Sequence, residues 1–142
     1  MESHRIQLRG PWQFEWLDCA GSSEPFGTAG RIKLPDDWTD FLEGASGQLR
    51  LRRRFGRPAH LDPQERVLVF VEEFWGAGEL RINRQSLTHI EGTANSRAEC
   101  IREDITSILQ PSNHLEIICT FPKLAVAGDG LWSSIGIEMF AG

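Results

Sequence analysis

Asp104-Ile105-Thr106-Ser107-Ile108-Leu109-Gln110-Pro111-Ser112-Asn113-His114-Leu115-Glu116-Ile117-Ile118-Cys119 is the stretch that decides the fold. Asp104 is a polar residue of the kind that opens a helical turn, and a short apolar segment, Ile105 to Leu109, follows it. Pro111-Ser112-Asn113 then breaks the chain, because proline cannot continue a helix and Ser and Asn favour turns. From Leu115 to Phe121 the residues are, apart from Glu116 and Thr120, apolar, and the run is rich in β-branching, as a core strand requires. The stretch describes a short turn feeding a buried strand. It specifies a fold and names no activity.

The same strand signals recur on both sides. Arg66-Val67-Leu68-Val69-Phe70-Val71 is a continuous apolar run, the pattern of a strand buried on both faces. Glu79-Leu80-Arg81-Ile82 and Ile135-Gly136-Ile137-Glu138-Met139 alternate, which predicts half-buried strands, and Leu49, Leu51 and Phe55 share a period of two with arginines between them. Gly, Pro, Asn and Asp cluster at 18–30, 56–63, 92–96 and 123–130. Short strands punctuated at this spacing predict an all-β chain folded as a jelly-roll β-sandwich. One other helical turn is expected, from Trp38 to Glu43, with Asp36 or Asp37 as its cap.

Composition bounds the functional classes. A chain of 142 residues is expected to form one domain, spanning 1–142. Fifteen Lys and Arg against twenty Asp and Glu leave a net charge of −5, the wrong sign for a general nucleic-acid or anionic-membrane binder. No apolar run approaches the ~20 residues of a membrane helix, and Met1-Glu2-Ser3-His4-Arg5 lacks the regions of a signal peptide. A soluble, cytoplasmic protein is expected. The three cysteines, Cys19, Cys100 and Cys119, match no zinc module and make no disulfide framework. Cys100 and Cys119 would pair only if their strands lay side by side.

The chain offers little for catalysis. Glycoside hydrolysis needs two carboxylates flanking a sugar, roughly 5–9 Å apart. Glu72-Glu73 and Asp36-Asp37 are adjacent pairs, and neighbours on a regular strand point to opposite faces. No Gly-x-Ser-x-Gly elbow supports a serine nucleophile, and His4, His60, His89 and His114 lie scattered. Gly76-Ala77-Gly78 follows a strand, but a dinucleotide loop needs a third glycine and a helix after it, where Glu79 to Ile82 is strand-like. The arginines at 50, 52, 53, 54 and 57 are split between two faces by strand alternation, which predicts a solvated strand with ion pairs.

Six blocks, in order, resemble the N-terminal β-sandwich of glycoside hydrolase family 2, the β-galactosidase, β-glucuronidase and β-mannosidase group. They are Leu8 to Phe14, Ile32 to Trp38, Leu51 to Phe55, Arg66 to Asn83, Asp104 to Cys119 and Gly130 to Ile137. The resemblance implies a galactose-binding-domain-like jelly roll whose catalytic glutamates belong to a barrel domain farther along, absent from these 142 residues. It also admits a structural calcium ion, for which Asp36, Asp37, Asp40 and Glu43 are the available oxygens, although they do not form a loop of alternating carboxylates. Two departures stand out. Trp75 occupies the place of an Asp, and Arg84 the place of the Gly in the family's Asn-Gly turn, so Asn83-Arg84-Gln85 is not expected to make the usual hairpin.

Five tryptophans and no tyrosine point toward sugar, because indole faces stack on the C–H faces of pyranose rings. Trp12, Trp16 and Trp38 are expected to pack in the core. Trp75 and Trp132 flank glycine-rich turns and are expected at a sandwich rim, with Glu91, Asn95, Arg97 and Asp129 as hydrogen-bonding neighbours. The expected function is a non-catalytic carbohydrate-binding-like module. An interaction or assembly module with a protein partner is the alternative. A third reading, a fragment of a longer enzyme, is weighed against by the initiating Met1 and the ending just after Phe140.

Overall fold

The computed structural model describes residues 3–20, 27–42, 46–59, 61–91, 97–121 and 130–141. The strands are β1 (Ser3–Gln7), β2 (Gly10–Ala20), β3 (Ala29–Leu34), β4 (Ser46–Gly56), β5 (Glu65–Trp75), β6 (Ala77–Ile82), β7 (Gln85–Ile90), β8 (Arg97–Asp104), β9 (Ser112–Phe121) and β10 (Ser134–Ala141). One short helix, α1 (Trp38–Leu42), and one 3-10 turn (Thr106–Ile108) interrupt them. Four strands form one sheet in the order β1-β10-β5-β8, and six form the other, β3-β2-β4-β9-β6-β7. Every neighbouring pair is antiparallel. The all-β sandwich expected from the sequence is the fold observed.

The deciding stretch folds as a clip and a strand. The Asp104 carboxylate accepts the Thr106 N–H at 2.8 Å, and the Thr106 hydroxyl accepts the Val67 N–H at 2.8 Å, so the turn is fastened to β5. Ile105 occupies the cap position of the 3-10 turn and is fully buried. β9 then buries Leu115, Ile117, Cys119 and Phe121 at every second position, as a period of two requires. It lies between β4 and β6, the centre of the larger sheet, where an apolar run is needed most.

Both sheets contribute to one core. Leu49 and Leu51 of β4, Val67, Val69 and Val71 of β5, and Leu80 and Ile82 of β6 are all fully buried. Each such side chain contributes about 1.5–3 kcal/mol by leaving water. Trp12, Trp16 and Trp38 pack inside as expected. The helix α1 carries Trp38, Phe41 and Leu42 beneath the six-stranded sheet's aromatic end, where Phe41 lies 4.8 Å from Phe14 and 5.5 Å from Trp16. The Asp37 carbonyl accepts the Phe41 N–H, and its carboxylate turns back to accept the Lys33 N–H at 2.7 Å, closing the turn between β3 and α1.

The continuous apolar run in β5 buries Val69, Phe70 and Val71 in succession. Phe70 points away from the core and is covered by Arg5, whose guanidinium carbon lies 4.3 Å from the ring centroid. Arg5 in turn bonds Glu138 at 2.8 Å and Glu72 at 2.6 Å, forming a charged layer over the outer face of the smaller sheet.

The strands of Cys100 and Cys119 do not lie side by side. Cys100 is on β8 in the four-stranded sheet and exposed, whereas Cys119 is on β9 in the six-stranded sheet and buried, so the two thiols are free. Burial alone pushes the Cys119 thiol well above its ordinary range. No helix among the described residues is long and apolar enough to cross a membrane, and no group of three or more His, Cys, Asp or Glu among them gathers as a metal site. Glu43, one of the candidate calcium oxygens, lies outside the described residues.

Candidate functional site

One end of the sandwich collects three of the six residues picked out for sugar binding. β5 ends at Trp75, Gly76 alone connects it to β6, and Trp75 faces Arg97 across the β5–β8 ladder. Ile90, at the end of β7, pairs with Gly78 at the start of β6, so the exposed Glu91 follows at the same end. The Trp75 N–H donates to the Leu131 carbonyl at 2.8 Å, which draws the segment 131–133 against it. Trp75, Glu91, Arg97 and the backbone of Trp132 are therefore brought together. Asn95 and Asp129 lie outside the described residues.

The ring of Trp132 does not join them. It is 3% exposed and packs 5.3 Å from Trp12 and 5.0 Å from Trp38, the latter edge to face. A tryptophan beside a glycine-rich turn was expected at the rim. Gly130, at a φ of +71° with no side chain, instead lets the chain close over the Trp38 indole and directs Trp132 inward. Trp75 is half-buried and partly packed on the core. The paired carboxylates are engaged separately, with Glu72 on Arg5 and Asp37 on the Lys33 N–H.

The opposite end of β6 holds the hairpin turn to β7. Asn83 and Arg84 have φ of +52° and +71°, so this two-residue turn has the backbone of an Asn-Gly hairpin despite the arginine. The expectation that it would depart from that geometry is overturned. Asn83 tolerates the left-handed region and is held there on three sides. Its amide donates to the Ile108 carbonyl at 3.2 Å and Asn113 Oδ1 at 3.0 Å, and its own oxygen accepts the His114 N–H at 2.9 Å. Arg84 carries the strain.

Between that turn and the outer face of the six-stranded sheet lies a shallow depression of about 980 Å³. Seven of its lining residues are arginines and one, Glu116, is acidic. Strand register sets the pattern: Arg31 faces Gln13, Gln13 faces Arg52, Arg52 faces Glu116, and Glu116 faces Arg81. This row crosses five strands and spans about 19 Å at the usual interstrand spacing. Glu116 sits 2.7 Å from Arg52 and 3.6 Å from each of Arg50 and Arg81. Arg50 also reaches Glu15 at 2.9 Å, and Arg81 reaches Glu79 at 3.1 Å. The Arg81 guanidinium, aided by Ser86, holds the Glu79 carboxyl below its usual range. Arg53 turns aside to the Arg9 carbonyl. The ion pairs expected for this arginine-rich strand are present. Sequence alternation separated Arg53 from Arg50 and Arg52, but it carried no signal that Arg31, Arg81 and Arg84 would join them.

No family model matches this chain, and no curated protein matches it by sequence. Solved structures do match. The chain is 21% identical to a β-glucuronidase of Faecalibacterium prausnitzii, with a TM-score of 0.62 over 83% of this chain and 21% of that one. It is 15% identical to a β-glucuronidase from Ruminococcus gnavus solved in complex with D-glucuronic acid, with a TM-score of 0.67 over 97% of this chain and 30% of that one. A calcium-binding mutant of β-glucuronidase 2 from Bacteroides uniformis gives 14% identity and a TM-score of 0.68 over 97% of this chain and 18% of that one. The chain has a β-sandwich fold like that found in glycoside hydrolase family 2 enzymes, and it spans less than a third of the length of these matched structures.

Proposed function

We propose that this β-sandwich is a non-catalytic carbohydrate-binding-like module of the glycoside hydrolase family 2 type. The observation that carries the proposal is the likeness of nearly the whole chain to a part of several carbohydrate-processing enzymes, one of them holding D-glucuronic acid. Trp75 and Arg97 are register partners and Glu91 follows β7 at the same end of the sandwich; an indole, a carboxylate and a guanidinium from these three residues, completed by Asn95 and Asp129, are the proposed binding set. Stacking on the indole and hydrogen bonds to hydroxyls are the interactions such a set offers. A glycan array followed by calorimetry at millimolar sugar tests the proposal: binding weakened by Trp75→Ala is expected, and silence across the array, together with no heat, overturns it.

A second reading is favoured by length. Because the chain spans 18–30% of the matched enzymes, it also fits a domain that packs against others in a longer glycoside hydrolase. Light scattering and affinity capture separate the two, since an assembly domain is expected to retain a protein partner and a strictly monomeric, partnerless protein counts against it.

A further inference from the structure

We propose that the outer face of the six-stranded sheet, at the end marked by Arg84, is a second binding surface that takes an acidic glycan, a saccharide chain carrying carboxylate or sulfate groups. The inference rests on the carbohydrate reading above and places the charged ligand away from the Trp75 end, at the far end of β6.

Two independent observations point there. The first is charge. The chain as a whole is −5, yet the depression on this face sets seven arginines against Glu116. Arg50, Arg52 and Arg81 are held by Glu15, Glu79 and Glu116, which fixes their guanidinium groups in place. Arg31, Arg54 and Arg84 are exposed and have no carboxylate partner among the described residues. A guanidinium without a partner presents a planar fork of donors that matches a carboxylate or sulfate. Gln13 between Arg31 and Arg52 and His114 opposite Arg54 add groups suited to hydroxyls.

The second observation is strain. A side-chain-bearing residue at φ +71° is disfavoured where glycine would be free, and strained positions persist where the side chain has a use. Arg84 stands in that turn at the edge of the depression. The hairpin geometry would be satisfied by glycine, so the turn does not explain the arginine; an anionic ligand does.

The chemistry favours a glycan over a nucleic acid. Glu15, Glu79 and Glu116 on the same face and the net −5 of the chain oppose a polymer with a charge at every phosphate. Positive groups separated by Gln13 and by the Glu116 cluster suit a chain whose charges are spaced along sugars with hydroxyls between them. The Trp12 ring beneath the depression is fully buried, so no base-stacking platform is offered there.

Calorimetry with an oligogalacturonate and with its methyl ester, the same sugar chain without charge, tests the surface. The acid is expected to bind, to weaken as salt is raised, and to bind at least about tenfold better than the ester. Arg84→Gly and Arg54→Gln are each expected to weaken the acid about tenfold while circular dichroism shows the native sheet, and Arg66→Gln, an exposed arginine on β5 of the smaller sheet, is expected to leave it unchanged. Equal binding of acid and ester, no effect of either arginine substitution, or tighter binding of single-stranded DNA than of the oligogalacturonate would overturn the proposal. The two readings fail separately. Neutral sugars that bind through Trp75 with no preference for the acid sink the second surface alone, and absence of all saccharide binding sinks both.

Discussion

The Asn83 side-chain amide donates to Asn113 Oδ1 at 3.0 Å, joining the β6–β7 hairpin turn to the start of β9. Asn113 is fully buried, and the same oxygen also accepts the Gln110 N–H at 2.8 Å. Its amide donates to the Gln110 carbonyl at 2.9 Å and the Phe55 carbonyl at 3.4 Å. One buried side chain thus satisfies backbone groups from two segments and a neighbouring side chain, which a buried polar residue must do to be tolerated. The arrangement ties the Pro-Ser-Asn break to Gln110 and to β4 at the point where the central strand starts.

Truncating that residue leaves several of these groups unpaired in the interior. Asn113→Ala is expected to lower the unfolding free energy by about 3 kcal/mol, the cost of a few unsatisfied buried groups. Urea denaturation checks it, and a loss under 1 kcal/mol would mean that water replaces the amide.

Arg84 behaves oppositely. The left-handed region costs an L-residue about 1–2 kcal/mol, while glycine adds roughly 0.5–1 kcal/mol of unfolded-state freedom. Arg84→Gly is therefore expected to stabilise the fold by about 0.5–1 kcal/mol, read as a higher Tm. An unchanged or lower Tm would show that Arg84 makes compensating contacts.

Gly76 joins β5 to β6 at a φ of +81°, and a Cβ there would stand 2.6 Å from the Thr120 carbonyl oxygen. Gly76→Ala combines backbone strain with a collision against a central strand, and a loss of about 3 kcal/mol is expected in thermal or chemical unfolding.

The thiols should differ in reactivity. Cys100 is exposed and Cys119 is buried with its ionisation suppressed. Iodoacetamide is expected to label Cys100 in the native protein and Cys119 only on unfolding, as peptide mass mapping will show. A disulfide between them under non-reducing conditions would contradict the two-sheet placement.

Acid should destabilise the protein through Glu79 and Asp104. Arg81 and Ser86 lower the Glu79 carboxyl from its ordinary 4.5. For Asp104, partial burial opposes ionisation, but the Thr106 hydrogen bonds and Arg66 outweigh it and lower the carboxyl from 3.8. A carboxyl lowered in the folded state contributes stability above its unfolded value, and that contribution is lost as pH falls through the lower folded value. Unfolding free energy is expected to hold at neutral pH and to fall below the range of 4.5 to 3.8, with the acid limb flattened in Glu79→Gln and Asp104→Asn.

The strands with strong period-two or β-branched signals, β4, β5, β6, β9 and β10, were legible because a pleated strand buries alternate side chains whatever its neighbours are. β1, β2, β3, β7 and β8 were not singled out. β2 alternates from Trp12 to Trp16 and loses the period only at the register slip between Trp16 and Asp18, so its signal was present in the sequence, whereas β7, at a sheet edge, buries only Ile90 and shows no clean alternation. Of the sugar-binding candidates, sequence neighbourhood located Trp75 and Arg97 at one end but failed for Trp132, because a turn's residues do not reveal which way its side chains point.

Sequence alone determined that this chain is an all-β sandwich with Asp104 to Cys119 as a turn and core strand, because propensity and periodicity are local properties. Only the tertiary structure decided that β8 and β9 belong to different sheets, that Trp132 turns inward onto Trp12 and Trp38, and that Arg31, Arg52, Arg81 and Arg84 share one face. Those are consequences of strand order and register, set by which hydrophobic faces find each other across the whole chain. A net charge of −5 is a sum over the sequence and carries no direction. The fold gave it one by bringing Arg31, Arg50, Arg52, Arg54, Arg81 and Arg84 to the outer face of the larger sheet.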